Sequence, residues 1–320
     1  MHPAMNSNEV GSRGDPQAEV HEFMSSCPIR STVGSQASMS ASCSHSPVKF
    51  IESACFDTVL NSNVWTAGGQ ATLALVAAKI LGYEQGWVAA TLIFVLSLFV
   101  YNLDHLVDTR SNRQRERRAR LSIGILFATV GVTGVLGMAF LLPGPALVVL
   151  ALPFTIGTLY SLPVLLLPGR WRLRDIPLLK TPLVAGSVVW CAVLLPMVLD
   201  HALPDLTAFF LASHLFVFAF SNCVTSDLRD IEDDRSTRTL TFPALLGERG
   251  CRRLLIGLNI LTLCVLPFWL PPRPVFYAAL VGATVATLWY VIHLKNSSSA
   301  REFAFLVDGC PYVLLISMLS

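Results

Sequence analysis

The stretch SNCVTSDLRDIEDDRSTRTL, residues 221–240, follows directly on TAFFLASHLFVFAF, residues 207–220, a run without a single charged residue. It ends an apolar segment with Asp227, Asp230 and Asp234, interleaved with Arg229, Arg235 and Arg238. The meaning of these acids depends on the solvent around the segment. Hydrophobic residues make up 53% of the 320, and only 14% are charged, a balance foreign to an ordinary soluble domain. A bilayer core roughly 30 Å thick is crossed by a helix of about 20 apolar residues. Nine stretches qualify: 64–82, 86–107, 121–143, 145–167, 176–199, 207–226, 253–271, 275–294 and 301–319. A large soluble helical protein would show polar faces at helical period, and these segments are apolar all round. The chain reads as an all-α membrane protein, a bundle of nine transmembrane helices.

Several spans contain proline (Pro153, Pro163, Pro182, Pro196), which a membrane bundle tolerates because neighbouring helices satisfy the freed backbone groups. Basic residues alternate between loops. Arg110, Arg113, Arg115, Arg117, Arg118 and Arg120 follow the second span, and Arg170, Arg172 and Arg174 follow the fourth. Arg229, Arg235, Arg238, Arg249, Arg252 and Arg253 follow the sixth, and Lys295 and Arg301 the eighth; the intervening loops carry only Arg273. The positive-inside rule then places the N-terminus and the even-numbered exits on the cytoplasmic or equivalent side.

Residues 1–47 are rich in serine, with scattered Gly and Pro and little apolar clustering. This composition predicts a disordered tail. Glu9, Asp15, Glu19 and Glu22 argue against an acid-poor transit peptide, and no secretory apolar core is visible. Residues 48–60 place Val48, Ile51, Cys55 and Val59 on one helical stripe, suited to a short interfacial helix that opens a membrane domain over 48–320. The eight scattered cysteines form no CxxC pair, so neither a disulfide framework nor a zinc site is indicated.

On a helix, positions three, four and seven apart share a face. Asp227, Asp230 and Asp234 therefore line one side of the end of the sixth span. The second span ends alike, since VYNLDHLVDTR, residues 100–110, puts Asp104 and Asp108 at i and i+4. Carboxylates at the membrane boundary are costly and point to function. Two such clusters at matched topology suit hard divalent cations such as Mg²⁺, which prefers oxygen and shares its ligands between carboxylates and substrate phosphates. The plainer reading is of solvated helix ends paired with neighbouring arginines. It accounts for one cluster better than for two.

These residues resemble the UbiA superfamily of intramembrane prenyltransferases. Its signature is an NDxxDxxxD motif after the second span and a related DxxDxxxD motif after the sixth. SDLRDIEDDRSTRTLTFPALLG, residues 226–247, is similar to the second motif and to the RTL…P…LLG run behind it. GTLYSLP, residues 157–163, a basic loop, and DIPLLKTPLVA, residues 175–185, resemble the connection between the fourth and fifth spans. The first motif departs from the family. Val100 and Tyr101 stand where Asn-Asp is expected, leaving Asp104 and Asp108; either Asn102 or Tyr101 compensates, or the first metal has fewer ligands.

The resemblance implies Mg²⁺ held by Asp104, Asp108, Asp227, Asp230 and Asp234 against the diphosphate of an isoprenoid substrate, with the metal acting as a Lewis acid on the leaving group. Arg110, Arg113, Arg238 and Lys180 would add to that clamp, as bidentate and point-charge phosphate ligands respectively. Tyr101, Asn102 and Tyr160 are further substrate-binding candidates. Aromatic faces among Phe99, Tyr101, Tyr160, Phe216 and Phe220 could shield a carbocation. Two reactions remain open: transfer of the prenyl group to a lipid-soluble or aromatic acceptor, and cyclisation to a terpene with no acceptor. The expected partners are prenyl diphosphate, the acceptor and membrane lipid, with no nucleic acid. A transporter is the least suitable reading, because the polar residues gather at one membrane face rather than at the midplane. Among lone polar residues, Lys79 suits snorkelling, while His214 and Asp308 suit either an acceptor site or a hydrogen bond between helices.

Overall fold

The structure is a computed structural model. It describes residues 62–107, 140–162, 176–232, 240–295 and 298–319, together with single positions at 59, 125, 129–131, 133, 134, 137 and 173. Nine helices are resolved among these residues: α1 (Val64–Leu81), α2 (Gly86–Val107), α3 (Gly144–Ser161), α4 (Lys180–Leu199), α5 (Leu206–Arg229), α6 (Phe242–Val265), α7 (Pro274–His293), α8 (Ala300–Leu306) and α9 (Cys310–Leu319). A 3-10 turn, Leu266–Phe268, continues α6. No strand occurs among the described residues. Seven of the helices, α1 to α7, are long and apolar enough to cross a membrane, and the chain is an integral multi-pass membrane protein.

The expected spans and the observed helices differ at two places, the seventh and the ninth spans. The stretch 121–143 lies mostly outside the described residues, as do the tail and all of 48–60 except Val59. The seventh span begins at Phe242 rather than 253, and Gly247 interrupts it with φ 69°. The ninth is not one helix: α8 stops at Leu306, residues 307–309 form a turn, and α9 starts at Cys310.

Helix starts follow their capping residues. Asp205 Oδ1 accepts from Ala208 N at 2.7 Å ahead of α5. Ser299 and Glu302 form a reciprocal capping box ahead of α8, satisfying amide groups that have no partner within the helix. Before α4, the Leu178 amide donates to Leu240 O at 2.9 Å while Leu178 holds a left-handed φ of 59°. This cross-link pins the start of α4 to the segment that leads into α6.

The core is apolar where helices meet, with Val76, Leu195, Leu211, Leu215, Leu255 and Leu280 fully buried. Large apolar side chains also face outward, such as Trp87 and Phe268. In lipid this outward greasiness is the proper surface, and packing rather than water exclusion holds the helices together. Side-chain pairs fix the relative directions. Lys79 Nζ reaches Met318 O at 2.7 Å and Thr66 Oγ1 reaches Asp308 at 2.9 Å, so α1 runs parallel to α9. Lys180 and Thr181 at the start of α4 meet Asp227 near the end of α5, so those two run antiparallel. The starts of α1 and α4 thus share one end of the bundle with the acidic ends of α2 and α5.

Candidate active site

A cavity of about 480 Å³ opens between these helix ends. Asp104, Asp227 and Asp230 line it together with Lys180, Arg229, Tyr101 and Tyr160. The two acidic faces, more than a hundred residues apart in sequence, therefore reach one space. Deeper in, the wall becomes apolar, with Leu73, Ile93, Leu96, Val184, Val188 and Phe218. A polar mouth over a greasy interior is the shape for a ligand with a charged head and a hydrocarbon tail.

Asp227 is the most constrained acid. Its side chain is only 7% exposed, one oxygen lies 2.8 Å from Lys180 Nζ, and the other accepts from Thr181 Oγ1 at 2.8 Å. A buried carboxylate requires such compensation. Asp230 is half-exposed and pairs with Arg229 through both oxygens, at 2.8 and 3.1 Å. The Arg229 guanidinium also lies over the Phe303 ring, 5.9 Å from its centre, which ties the end of α5 to α8. Asp108, Asp234, Arg110, Arg113 and Arg238 lie outside the described residues.

Asn102 is turned away from the cavity. It is 1% exposed, and its Nδ2 donates to Leu98 O at 2.8 Å and Ser62 O at 3.2 Å. Each residue turns a helix by 100°, so the rotation that aims Tyr101 and Asp104 inward carries Asn102 onto another face. Asn102 ties α2 to the segment before α1, and Val100 and Tyr101 both line the cavity in place of the missing pair. The Tyr101 hydroxyl accepts from Gln70 Nε2, and Gln70 Oε1 accepts from Ser97 Oγ at 2.7 Å.

The aromatic candidates also sort by packing. Phe99 stacks on Phe154 and Phe216 on Phe220, whereas Phe218 lines the cavity. The same wall holds Thr66, Gln70, Asn222 and Asp308. Of these only Asp308 stands out in the sequence, as an acid inside an apolar run. His214 is buried on another face, with Nε2 3.2 Å from Thr284 Oγ1, a contact between helices.

The donor set can be judged against a metal. Every cavity acid offers carboxylate oxygen, the ligand of a hard cation rather than of zinc. Among the described residues, no three Asp, Glu, His or Cys side chains stand close enough to hold an ion unaided. Mg²⁺ does not need a closed protein cage, since it keeps waters and takes substrate phosphate oxygens. The residues present fit that mode of binding.

Fold and site together define a helical membrane protein with an acid-mouthed, apolar cavity. A profile described as the UbiA prenyltransferase family matches residues 64–308, and the chain belongs to that family. Solved structures share the fold. A UbiA homolog from Archaeoglobus fulgidus, bound to GPP and Mg²⁺, is 14% identical with a TM-score of 0.56, covering 83% of this chain and 99% of its own. The same homolog bound to DMAPP and Mg²⁺ gives a TM-score of 0.54 at 14% identity, over 82% of this chain and 99% of that one. An apo UbiA homolog from Aeropyrum pernix K1 is 13% identical with a TM-score of 0.56, over 79% and 96%. No curated protein sequence matches the chain.

Proposed function

We propose that the protein transfers a prenyl group from an isoprenoid diphosphate to a hydrophobic or aromatic acceptor within the membrane, with Mg²⁺ as cofactor. The observation that carries this reading is the single cavity that joins Asp104, Asp227, Asp230 and Lys180 to an apolar interior. The Archaeoglobus homolog's complexes with GPP, DMAPP and Mg²⁺ support it. Asp104, Asp227 and Asp230, with Asp108 and Asp234, would hold Mg²⁺, which supplies Lewis-acid stabilisation of the leaving diphosphate.

The protein's own groups do the rest. Asp227 anchors Lys180, which is 30% exposed in its side chain and stands at the cavity mouth as a point charge for a phosphate oxygen. Leu73, Ile93, Val184 and Val188 enclose the prenyl chain and exclude water, so that an allylic cation is not captured as the alcohol. Tyr101 and Tyr160 present aromatic faces beside the acidic end, where positive charge develops.

Cyclisation without an acceptor is the second reading. Tyr101 favours it, because a neutral ring stands where relatives carry an acid, suited to guarding a carbocation. Purified protein incubated with C10 to C20 prenyl diphosphates and Mg²⁺ tests both readings. Diphosphate release only when an acceptor is added supports transfer; a cyclic hydrocarbon from the diphosphate alone supports cyclisation. No release with any chain length rejects both.

A further inference from the structure

Either reaction liberates a proton. In transfer, the allylic C–O bond breaks and its electron pair leaves with the diphosphate. An acceptor O–H or C–H supplies the pair for the new bond to carbon, and its hydrogen departs as a proton. In cyclisation, an alkene pair closes the ring, and a C–H next to the resulting cation gives up its proton to form a new double bond. A base must take it up, and two of the motif acids in the cavity are already engaged. Asp227 is held by Lys180 and Thr181, and Asp230 by Arg229.

Asp308 reaches the same cavity from a different wall. It sits in the turn that divides α8 from α9. Broken helices occur at membrane depth only where the freed backbone is buried in protein or lines a cavity, and this break is built with care. Trp65 of α1 lies between Phe305 and Tyr312, with ring centres 5.8 and 4.5 Å away. It donates to Ala304 O at 3.1 Å, and its own carbonyl accepts from Tyr312 OH at 2.8 Å. Asn222 Nδ2 donates to the Val307 carbonyl at 3.2 Å. Gly69 lets α1 approach closely, since a Cβ there would stand 2.8 Å from Asp308 O; a Cβ at Gly309 would meet Phe305 O at 2.0 Å. The carboxylate is oriented by Thr66 Oγ1, which donates to its Oδ2 at 2.9 Å.

We infer that Asp308 is a catalytic base, taking up the proton released when the prenyl cation is captured. The inference rests on reading the cavity as a prenyl-diphosphate site. The carboxylate accepts the proton at an oxygen while the acceptor, or the cyclised cation, keeps the bonding pair. The break in the ninth span serves to carry an acid into a wall that an unbroken apolar helix would leave inert.

Full-length protein in detergent provides the test, with diphosphate release and organic product followed together. Asp308→Asn keeps the size of the side chain and an oxygen for Thr66 but cannot accept a proton. Product formation is expected to fall at least about 100-fold, within the range for loss of a general base. Binding of a non-ionising thio analogue of the prenyl diphosphate should remain within about threefold, since Asp308 is not among the acids assigned to the metal. Thr66→Val, which removes only the orienting bond, should lose less than about tenfold.

A second arm uses Asp308→Ala with added formate, which supplies a mobile carboxylate. Recovery of at least about tenfold supports the assignment, on the same scale of general-base effects. Wild-type turnover in Asp308→Asn overturns it and leaves diphosphate itself as the base. A folded Asp308→Ala protein, judged by its unfolding transition, that formate does not rescue overturns it equally. Absence of diphosphate release from the wild-type chain rejects the reading of the whole site, and this inference with it.

Discussion

Lys180 Nζ stands 2.8 Å from Asp227 Oδ1, joining the first residue of α4 to the last turn of α5. The buried acid of the second motif is thus neutralised by a side chain that also faces the cavity. Removing one partner of a buried pair leaves an uncompensated charge, whose cost is several kcal/mol when both groups are deeply buried. Because Lys180 is partly exposed, Lys180→Ala should cost less, about 1–3 kcal/mol. Thermal unfolding in detergent is expected to show a lower midpoint that added Mg²⁺ partly restores. An unchanged midpoint would return the pair to the status of a solvated contact.

Asp227→Asn separates charge from shape. The amide oxygen can still accept from Thr181 Oγ1, so the protein should stay folded. Turnover should nevertheless fall at least about 100-fold, comparable with the loss of other preorganised electrostatic groups in catalysis. Asp104→Ala should be similarly severe, since Tyr101 offers no carboxylate to replace it. Wild-type rates in both variants would remove the acids from the mechanism.

Excess chelator should abolish turnover, and Mg²⁺ should restore it, because oxygen-only carboxylates facing a diphosphate need a divalent counter-charge. Full activity with chelator present would reject the cofactor assignment.

Tyr101 and Asn102 are adjacent in sequence and opposite in role. Tyr101→Phe removes the acceptor for Gln70, a partly buried amide on the cavity wall, and should cost about 1 kcal/mol of stability, while product identity stays the same. Tyr101→Ala also removes the ring from the cavity and should slow turnover or alter the products. Asn102→Ala should lower the unfolding midpoint without changing the Mg²⁺ concentration needed for half-maximal activity. A shift in that concentration would make Asn102 a ligand after all.

Gly69 offers a packing test. A Cβ there would meet the Asp308 backbone at 2.8 Å, so Gly69→Ala should destabilise by about 1–3 kcal/mol through overpacking and should impair turnover by displacing the break. Gly257 in α6 has nothing within 4 Å of an added Cβ. Gly257→Ala should be neutral or stabilising by up to about 1 kcal/mol, from its better helix propensity. Equal effects at both sites would mean that the α1 contact with the ninth span is not tight.

Most of the architecture is legible before any coordinates. Runs of about 20 apolar residues leave a chain few options in a bilayer. The paired acids at the ends of α2 and α5, with the motif behind Asp227, point to the family. The direction each helix faces is not legible. A helix that is apolar all round has no preferred side in its own sequence, so its rotation is decided by the neighbours it packs against. That rotation turned Asn102 away and put Phe218, rather than Phe216 or Phe220, on the cavity. It also set Lys180 against Asp227. The division of the ninth span shows the same limit. Asp308 and Gly309 mark a weak point in an apolar run, but only the close seat on Gly69 and the Trp65 contacts on either side decide that the helix stops there. Local composition determines which segments enter the membrane and where their charged ends lie. Contacts between segments distant in sequence determine which side chains meet, because lipid exerts almost no preference among the faces of a uniformly apolar helix.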